Sequence, residues 1–164
     1  MDKQLEQQFV DHLEKNQNIV HKICRLYTND QDSHNDLFQE ITIQLWKAYP
    51  KFRGDAKFST WMYRVALNTA ITLYRKSKKR VKTQDYESVM FKIESSEYDN
   101  TIEEQLKLMY AAVKQLNDID KALVFLYLED KSYSEISDTL GITEVNARVK
   151  MNRIKGKLKQ LLNS

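Results

Sequence analysis

Residues that break helices are almost missing from this chain. Only 3 Gly and 1 Pro occur among its 164 residues, whereas average usage would give about 11 Gly and about 8 Pro. Glycine and proline supply most tight turns and helix breaks, so a chain with so few of them favours long helices. The sequence therefore predicts an all-α protein.

The distribution of charge divides the chain into three parts. Residues 1–82 hold 15 basic and 9 acidic side chains, residues 83–104 hold 1 and 7, and residues 105–164 hold 10 and 7. The middle segment, TQDYESVMFKIESSEYDNTIEE, has no clean helical period and repels itself, which is typical of a flexible connector. We therefore predict two helical domains, at 1–82 and 105–164, joined by a flexible acidic linker at 83–104.

Cysteine content and hydropathy indicate where such a protein works. Cys24 is the only cysteine, so no disulfide can form within the chain, and a lone thiol fits a reducing compartment. No stretch approaches the roughly 20 apolar residues of a transmembrane helix, and the N-terminus lacks the apolar run of a signal peptide. We expect a cytoplasmic protein without membrane insertion.

The sequence contains no recognisable pattern for catalysis or metal binding. We find no nucleophile paired with a base, no phosphate-binding loop and no metal-ligand spacing. His12, His21 and Cys24 could cluster on helices, but without a fourth ligand or a second Cys they are better explained as packing and surface residues. We therefore predict no enzyme, no catalytic residue, no cofactor and no metal.

Apolar residues at helical spacing predict the individual helices. In the first domain the expected order is two helices or one kinked helix up to about residue 26, a polar break TNDQDSHND, a helix over 36–49, a loop PKFRGDAKFS and a long helix over 59–80. In the second domain four helices are expected, over 102–116, 119–128, 134–140 and 143–162.

The last two predicted helices have the end signals of a helix-turn-helix. Ser132 with Glu135 forms a capping-box pattern that begins the first of them. Gly141 can adopt the left-handed conformation that ends this helix, and Thr143 can cap the next one. On the final helix, apolar residues with a 4-3-4-3 spacing form a stripe that we expect to be buried: Ala147, Met151, Ile154, Leu158 and Leu161.

The opposite face of the final helix has the composition of a DNA-reading surface. It is expected to present Val145, Arg148, Val149, Asn152, Arg153 and Gly156, with Lys150, Lys155, Lys157 and Lys159 at its rims and beyond. In a major groove Arg reads guanine, Asn reads adenine and apolar groups meet the thymine methyl, while lysines meet phosphates. Residues 148–159 hold six basic and no acidic side chains. We predict DNA binding here; the alternative is a merely solvated basic end.

The predicted helix over 36–49 has one ordinary and one unusual face. Its core side is expected to hold Leu37, Phe38, Ile41, Leu45 and Ala48. Its opposite side holds Asp36, Gln39, Glu40, Ile43, Trp46 and Lys47. Carboxylates mixed with an outward Ile and Trp are expected of a protein-partner surface, unless Trp46 caps the bundle instead.

The long helix over 59–80 mixes aromatic and basic residues. One side is expected to carry Trp61, Arg64, Asn68, Thr72 and Arg75, and the packing side Met62, Ala66, Ala70 and Leu73. A basic cluster at 75–82 follows, and Phe52 and Phe58 lie in the preceding loop. Such a surface suits single-stranded nucleic acid, because bases stack on rings and cations follow phosphates. Trp61 could equally belong to the core.

Two segments resemble a known family. DLFQEITIQLWKAYPKFRGDAKFSTWMYRVALNTAITLYRK resembles regions 2.1 to 2.4 of the extracytoplasmic-function sigma factors, and SYSEISDTLGITEVNARVKMNRIKGKL resembles their region 4.2. The two occur in the family's order with the predicted linker between them, and we expect no region 1.1 or region 3. The resemblance implies a sigma region 2 helical bundle and a sigma region 4 helix-turn-helix. It also implies a bacterial factor that binds core RNA polymerase, directs it to −35/−10 promoters and assists promoter melting.

The resemblance also implies roles for particular residues. Docking on the clamp helices of the polymerase's largest subunit is implied for Asp36, Leu37, Gln39, Glu40 and Trp46, and Ile43 shares their outward face. Binding of the −10 element, with a base flipped into the loop over 52–60, is implied for Phe52, Arg53, Phe58, Ser59, Thr60, Trp61, Arg64, Asn68 and Arg75. Contact with the −35 major groove is implied for Arg148, Val149, Asn152 and Arg153, with Val145, Lys150 and Lys155 beside them.

Two further partners follow from the resemblance, and one alternative function remains. The polymerase flap is an implied partner, and so is an anti-sigma factor, because that control is common in the family. At Val149 and Asn152 the chain departs from the family's usual residues, so its −35 sequence cannot be copied from relatives. The alternative is a stand-alone helix-turn-helix transcriptional regulator, which would leave Trp61 and the basic cluster unexplained.

Overall fold

A computed structural model describes residues 3–52, 54, 57–81 and 101–163 of the protein. Its elements in these ranges are α1 (Lys3–Tyr27), α2 (Gln31–Ala48), a 3-10 turn (Tyr49–Lys51), α3 (Phe58–Val81), α4 (Thr101–Lys114), α5 (Asp118–Leu128), α6 (Tyr133–Leu140) and α7 (Glu144–Leu162). All of this regular structure is helical, which confirms the all-α prediction. The predicted linker lies outside the described residues up to residue 100, and its last four positions belong to α4.

The start of the first domain differs from the sequence prediction in two places. α1 is one continuous helix, where two helices or a kink were expected. α2 begins at Gln31 rather than near Asp36, because the amide of Ser33 donates a hydrogen bond of 2.7 Å to the side chain of Asp30 and caps the helix. The segment TNDQDSHND is therefore mainly the first turn of α2. Apolar periodicity cannot detect a polar first turn, whereas Ser, Asp and Asn are common at helix starts.

α1, α2 and α3 form a three-helix bundle around a continuous apolar core. Its completely buried side chains are Val20, Ile23, Cys24, Ile41, Leu45, Met62, Ala66 and Leu67. The predicted core face of α2 is confirmed for Leu37, Ile41 and Leu45, while Phe38 and Ala48 are half-buried. The packing side of α3 is confirmed as well, with Leu73 half-buried at its edge.

α4 to α7 form the second bundle, and the predicted helix-turn-helix is confirmed in it. The amide of Glu135 donates to Ser132 Oγ at 3.1 Å, and the amide of Asn146 donates to Thr143 Oγ1 at 3.1 Å. Between these two caps, Gly141 has a φ of 71° in the left-handed region. The stripe of α7 packs inward, with four of its residues buried and Leu161 half-buried.

The two bundles contact each other where α1 meets α4 and where α3 meets α5 and α6. The ring of Tyr63 on α3 lies 5.8 Å from that of Phe125 on α5. Next to them, Lys22 Nζ donates to Glu129 Oε1 at 2.8 Å, and the Tyr63 hydroxyl donates to Glu129 Oε2 at 3.2 Å. One carboxylate at the end of α5 therefore contacts two helices of the first domain.

Ile41 and Ile43 form a matched pair for testing the core of the first bundle. Both lie on α2, but Ile41 is completely buried and Ile43 is 45% exposed. Replacing Ile41 with Ala leaves a cavity, so we expect the free energy of unfolding to fall by about 2–5 kcal/mol. Ile43→Ala should change it by about 0.5 kcal/mol or less. Urea denaturation followed by circular dichroism measures both, and equal losses would contradict this assignment of the α2 faces.

Candidate polymerase and nucleic-acid interfaces

The outward face of α7 is open to solvent along its length. Val145 is 73% exposed and Val149 is 44% exposed. The other predicted members of this face are exposed as well: Arg148, Asn152, Arg153, Lys155 and Gly156. Lys150 is half-buried at the rim. The predicted division of α7 into a buried stripe and an outward face is confirmed.

Two tyrosines that the sequence did not single out lie beside this face. The guanidinium carbon of Arg148 lies 5.1 Å from the ring centroid of Tyr133, and Lys155 Nζ lies 4.8 Å from that of Tyr127. Tyr127 lies in the last turn of α5 and Tyr133 begins α6, so no periodicity within α7 could have connected them with Arg148 and Lys155. A cation this close to a ring face is attracted by the ring quadrupole.

A cluster of rings lies where α3 begins. Trp61 contacts Phe52 and Phe58 with ring centroids 5.2 and 5.4 Å apart, and His12 stacks on Phe58 at 4.5 Å. Phe58 is only 7% exposed, which corrects the expectation of an available ring there; its ring packs against His12, Phe52 and Trp61. Phe52 and Trp61 are half-buried and each keeps part of its ring exposed.

The remaining predicted residues of the −10 surface follow the expected side of α3. Arg64, Asn68, Thr72 and Arg75 are exposed, and Ser59 and Thr60 are half-buried; Arg53 lies outside the described residues. Asn68 and Thr72 also line a polar recess of about 310 Å³ between α2 and α3. The other residues of this recess are Glu40, Gln44, Thr69, Leu73 and Lys76.

Arg75 is engaged by the second domain in this structure. Its Nε donates to a carboxylate oxygen of Asp118, at the start of α5. Burial by itself would raise the pKa of Asp118, but the hydrogen bonds from Arg75 and from the amide of Ile119 outweigh it and lower the pKa. The carboxylate is therefore charged at neutral pH, and in this structure it occupies the Nε donor of Arg75.

The outward face of α2 is only partly the surface expected from the sequence. Asp36, Gln39, Ile43 and Lys47 are exposed and Glu40 is half-buried. Leu37 is 6% exposed, which corrects its expected place on this surface, because its side chain belongs to the core.

Trp46 takes an intermediate position on the same helix. Its ring packs on Phe9 with centroids 5.0 Å apart and is half-buried. This contact favours the alternative in which Trp46 caps the bundle.

The histidines and the cysteine form packing contacts. His21 Nδ1 and His34 Nε2 lie 2.9 Å apart, and the His21 ring stacks on Phe38. Cys24 is buried, and burial raises the pKa of its thiol to about 12, so the unreactive thiol form persists at neutral pH. Among the described residues, no three His, Cys, Asp or Glu side chains are grouped closely enough to hold a metal ion.

Within the ranges that the structure covers, none of the helices combines the length and the apolar character needed to cross a bilayer.

Together, the helical bundle and the helix-turn-helix with its exposed basic face define a two-domain DNA-binding protein. Two sequence-family models match the same two parts of the chain: Sigma-70 region 2 over residues 12–80 and Sigma-70 region 4 over residues 106–158. The chain belongs to the sigma-70 family, in its extracytoplasmic-function group. It is therefore an RNA polymerase sigma factor that initiates transcription, and not an enzyme.

Individual relatives agree with this assignment. RNA polymerase sigma factor SigZ of Bacillus subtilis is 31% identical over 135 residues, which cover 82% of this chain and 75% of SigZ. The ECF RNA polymerase sigma-E factor of Escherichia coli is 29% identical over 130 residues, which cover 71% of this chain and 68% of that protein. As a sigma factor, the protein binds core RNA polymerase and promoter DNA.

Two solved structures share the fold over nearly the whole chain. The sigma factor RpoE from Bartonella quintana, solved with the anti-sigma factor NepR, gives a TM-score of 0.71 at 17% identity, covering 99% of this chain and 98% of RpoE. CnrH, solved with the cytosolic domain of CnrY, gives a TM-score of 0.68 at 17% identity, covering 96% of this chain and 89% of CnrH.

Gly141 and Gly156 should respond in opposite directions to substitution by Ala. An added Cβ would meet no atom within 4 Å at either position, so only the backbone conformation decides the outcome. Gly141→Ala places a side chain at a φ of 71° and should lower the free energy of unfolding by about 1–2 kcal/mol. Gly156→Ala, within α7, should raise it by about 0.5–1 kcal/mol.

Thermal and urea unfolding of the two variants measure these changes. A shift of the same sign in both would contradict the left-handed turn between α6 and α7.

Proposed function

We propose that this sigma factor reads its promoter with two separate surfaces. α7 enters the major groove of the −35 element, and the exposed side of α3 with the neighbouring rings binds the −10 element as it melts. The observation that carries the proposal is the exposure of Val145 and Val149 beside Arg148 and Asn152. Exposed valines gain nothing from water, but together with Arg and Asn they match the methyl groups, acceptors and donors of base edges.

The proposed −10 surface combines rings with polar and basic groups. Phe52 and Trp61 offer partly exposed rings, on which an unpaired base gains about 1–3 kcal/mol by stacking. That gain offsets the few kcal/mol that flipping a base out of the duplex costs. Arg64 and Asn68 lie farther along α3 from these rings, where the unpaired DNA strand would run beside the helix. This arrangement supports capture of opened strand, and hence assistance in promoter melting.

The proposed polymerase surface is the outward face of α2, directed at the clamp helices of the largest subunit. Ile43 supplies an exposed apolar contact, and Asp36, Gln39 and Glu40 surround it with polar and acidic groups. An apolar centre with a polar rim is the usual anatomy of a protein interface. Half-buried Trp46 lies on the same helix and would enlarge the apolar centre.

The second domain offers a surface for the two remaining proposed partners, the polymerase flap and an anti-sigma factor. Leu106 on α4 and Leu128 on α5 are exposed at an apolar groove of about 280 Å³. Both solved relatives were determined in complexes, RpoE with the anti-sigma factor NepR and CnrH with the cytosolic domain of CnrY. Exposed apolar grooves of this kind are typical of protein-partner sites.

Replacing Arg148 with Ala tests the −35 surface. The variant should bind the −35 element more weakly and lose its preference at one base pair, because one bidentate contact contributes about 1–3 kcal/mol of discrimination. Promoter fragments selected from genomic DNA by reconstituted holoenzyme, followed by footprinting, would measure this.

The matched control is Lys107→Ala, which removes an exposed cation from α4 of the same domain. It should leave the base preference intact. An unchanged −35 preference in Arg148→Ala removes this residue from the reading surface.

Reversing the charge of Glu40 tests the polymerase surface. Glu40→Lys should reduce co-purification with core polymerase by roughly tenfold or more, since like-charge contacts at an interface cost several kcal/mol. The thermal unfolding temperature should stay near that of the original protein, because the hydrogen bond that the Gln44 side-chain amide donates to Glu40 joins neighbouring turns of one helix and contributes only about 0.2–0.5 kcal/mol.

The control for this variant is Glu14→Lys, the same reversal at an exposed position of α1. A Glu40→Lys protein recovered with core polymerase in the original yield would refute the assignment of α2.

A further inference from the structure

Tyr127 and Tyr133, which we call the tyrosine pair, lie on either side of the turn between α5 and α6. Their ring centroids are 6.5 Å apart. Arg148 lies over Tyr133 and Lys155 lies over Tyr127, at 5.1 and 4.8 Å from the ring centroids. Positions 148 and 155 are seven residues apart and so lie on the same side of α7. Two cations of the recognition helix are therefore held by two neighbouring rings.

Because the rings contact these two cations through their faces, the hydrogen-bond donors of the cations remain available to DNA. In the described part of the chain, neither Arg148 nor Lys155 forms an ion pair with a carboxylate. A carboxylate would occupy the planar donors of the guanidinium in a bidentate pair. A ring attracts the cation through its face. The donors of Arg148 thus remain available for the edge of a base while the position of the side chain is restricted.

Holding the Arg148 and Lys155 side chains in place before DNA binds lowers the entropy cost of binding. Arg and Lys side chains have many rotamers, and immobilising them on binding costs conformational entropy. Tyr133 is itself half-buried and packed against the core of the second domain, so its ring is a fixed support. A cation that already rests on this support loses less entropy when it meets DNA.

We propose that Tyr133 positions Arg148 for the −35 base pair that it reads, and that Tyr127 positions Lys155 against a neighbouring phosphate. The proposal rests on the proposed entry of α7 into the −35 groove. It adds two positioning residues outside the recognition helix, with separable effects. Tyr133 acts on base preference, because Arg148 lies on the outward face. Tyr127 acts on salt dependence, because a phosphate contact carries no sequence information.

A graded series at Tyr133 tests the first half. Cation–π attraction is strongest for Trp and present for Tyr and Phe, whereas Leu retains apolar bulk without a ring. Tyr133→Phe and Tyr133→Trp should keep the affinity of holoenzyme for its promoter and the preference at the base pair read by Arg148. Tyr133→Leu should lose about two- to fivefold in affinity and much of that preference. If Tyr133→Phe loses as much promoter affinity and base preference as Tyr133→Leu, the effect belongs to the hydroxyl and the proposal is overturned.

A double-mutant cycle separates positioning from a general structural role. In the Arg148→Ala background, Tyr133→Leu should have almost no further effect on promoter affinity, because the residue it positions is gone. An undiminished effect in that background overturns the proposal. If Tyr133→Leu fails to fold, the Phe and Trp variants still decide, because a fall in base preference in either one contradicts the role of the ring face.

The second half is tested by salt dependence. Tyr127→Leu should make the slope of log K for promoter binding against log salt concentration less steep, by at most the contribution of about one phosphate contact. It should leave base preference unchanged. An unchanged slope overturns the role of Tyr127. The outcomes also separate this inference from the function on which it rests. If Arg148→Ala leaves the base preference unchanged, the −35 assignment of α7 is wrong. If Arg148→Ala loses the preference but the double-mutant cycle shows no coupling with Tyr133, only the positioning role is wrong.

Discussion

The apolar stripe of α7 is buried against the other helices of the second domain, and this one contact determines how the domain meets its surroundings. Met151 and Ile154 are almost completely enclosed. Because each residue turns a helix by about 100°, burying this stripe directs Arg148 and Asn152 to the opposite side. The caps at both ends of the turn fix where α7 begins. The reading face is therefore a consequence of packing on the other side of the same helix.

Aromatic rings contact side chains of the proposed DNA-binding surfaces in both domains. Beside α7, Tyr127 and Tyr133 support two cations. At the start of α3, buried Phe58 supports Trp61, whose ring is partly exposed. A ring provides a large, rigid contact area with few rotatable bonds, so it positions a neighbour at little cost in entropy. The same physical device thus serves the proposed −35 surface and the proposed −10 surface.

The boundary between the domains combines apolar and charged contacts. Lys121 of α5 is buried there, with its ammonium 4.2 Å from the ring centroid of Tyr74 and 5.5 Å from that of Tyr27. By contrast, the charged groups of Lys22 and Arg75 remain substantially exposed, and ion pairs of this kind contribute only about 0–1 kcal/mol each. The buried residues of both domains form one continuous hydrophobic cluster, and Arg75 of the proposed −10 surface pairs with Asp118 where the domains meet.

The sequence by itself determined the all-α class, the order of the two domains, the helix-turn-helix and the family. Scarce glycine, capping residues and helical periodicity are local signals, and they also predicted the buried and outward sides of α7. Only the tertiary structure decided which side chains of the proposed surfaces are available. It buries Phe58 and places Tyr133 against Arg148, and it engages Arg75 with Asp118. Those contacts join residues from different helices. The apolar period of one helix does not encode which residue of a second helix each of its side chains will contact.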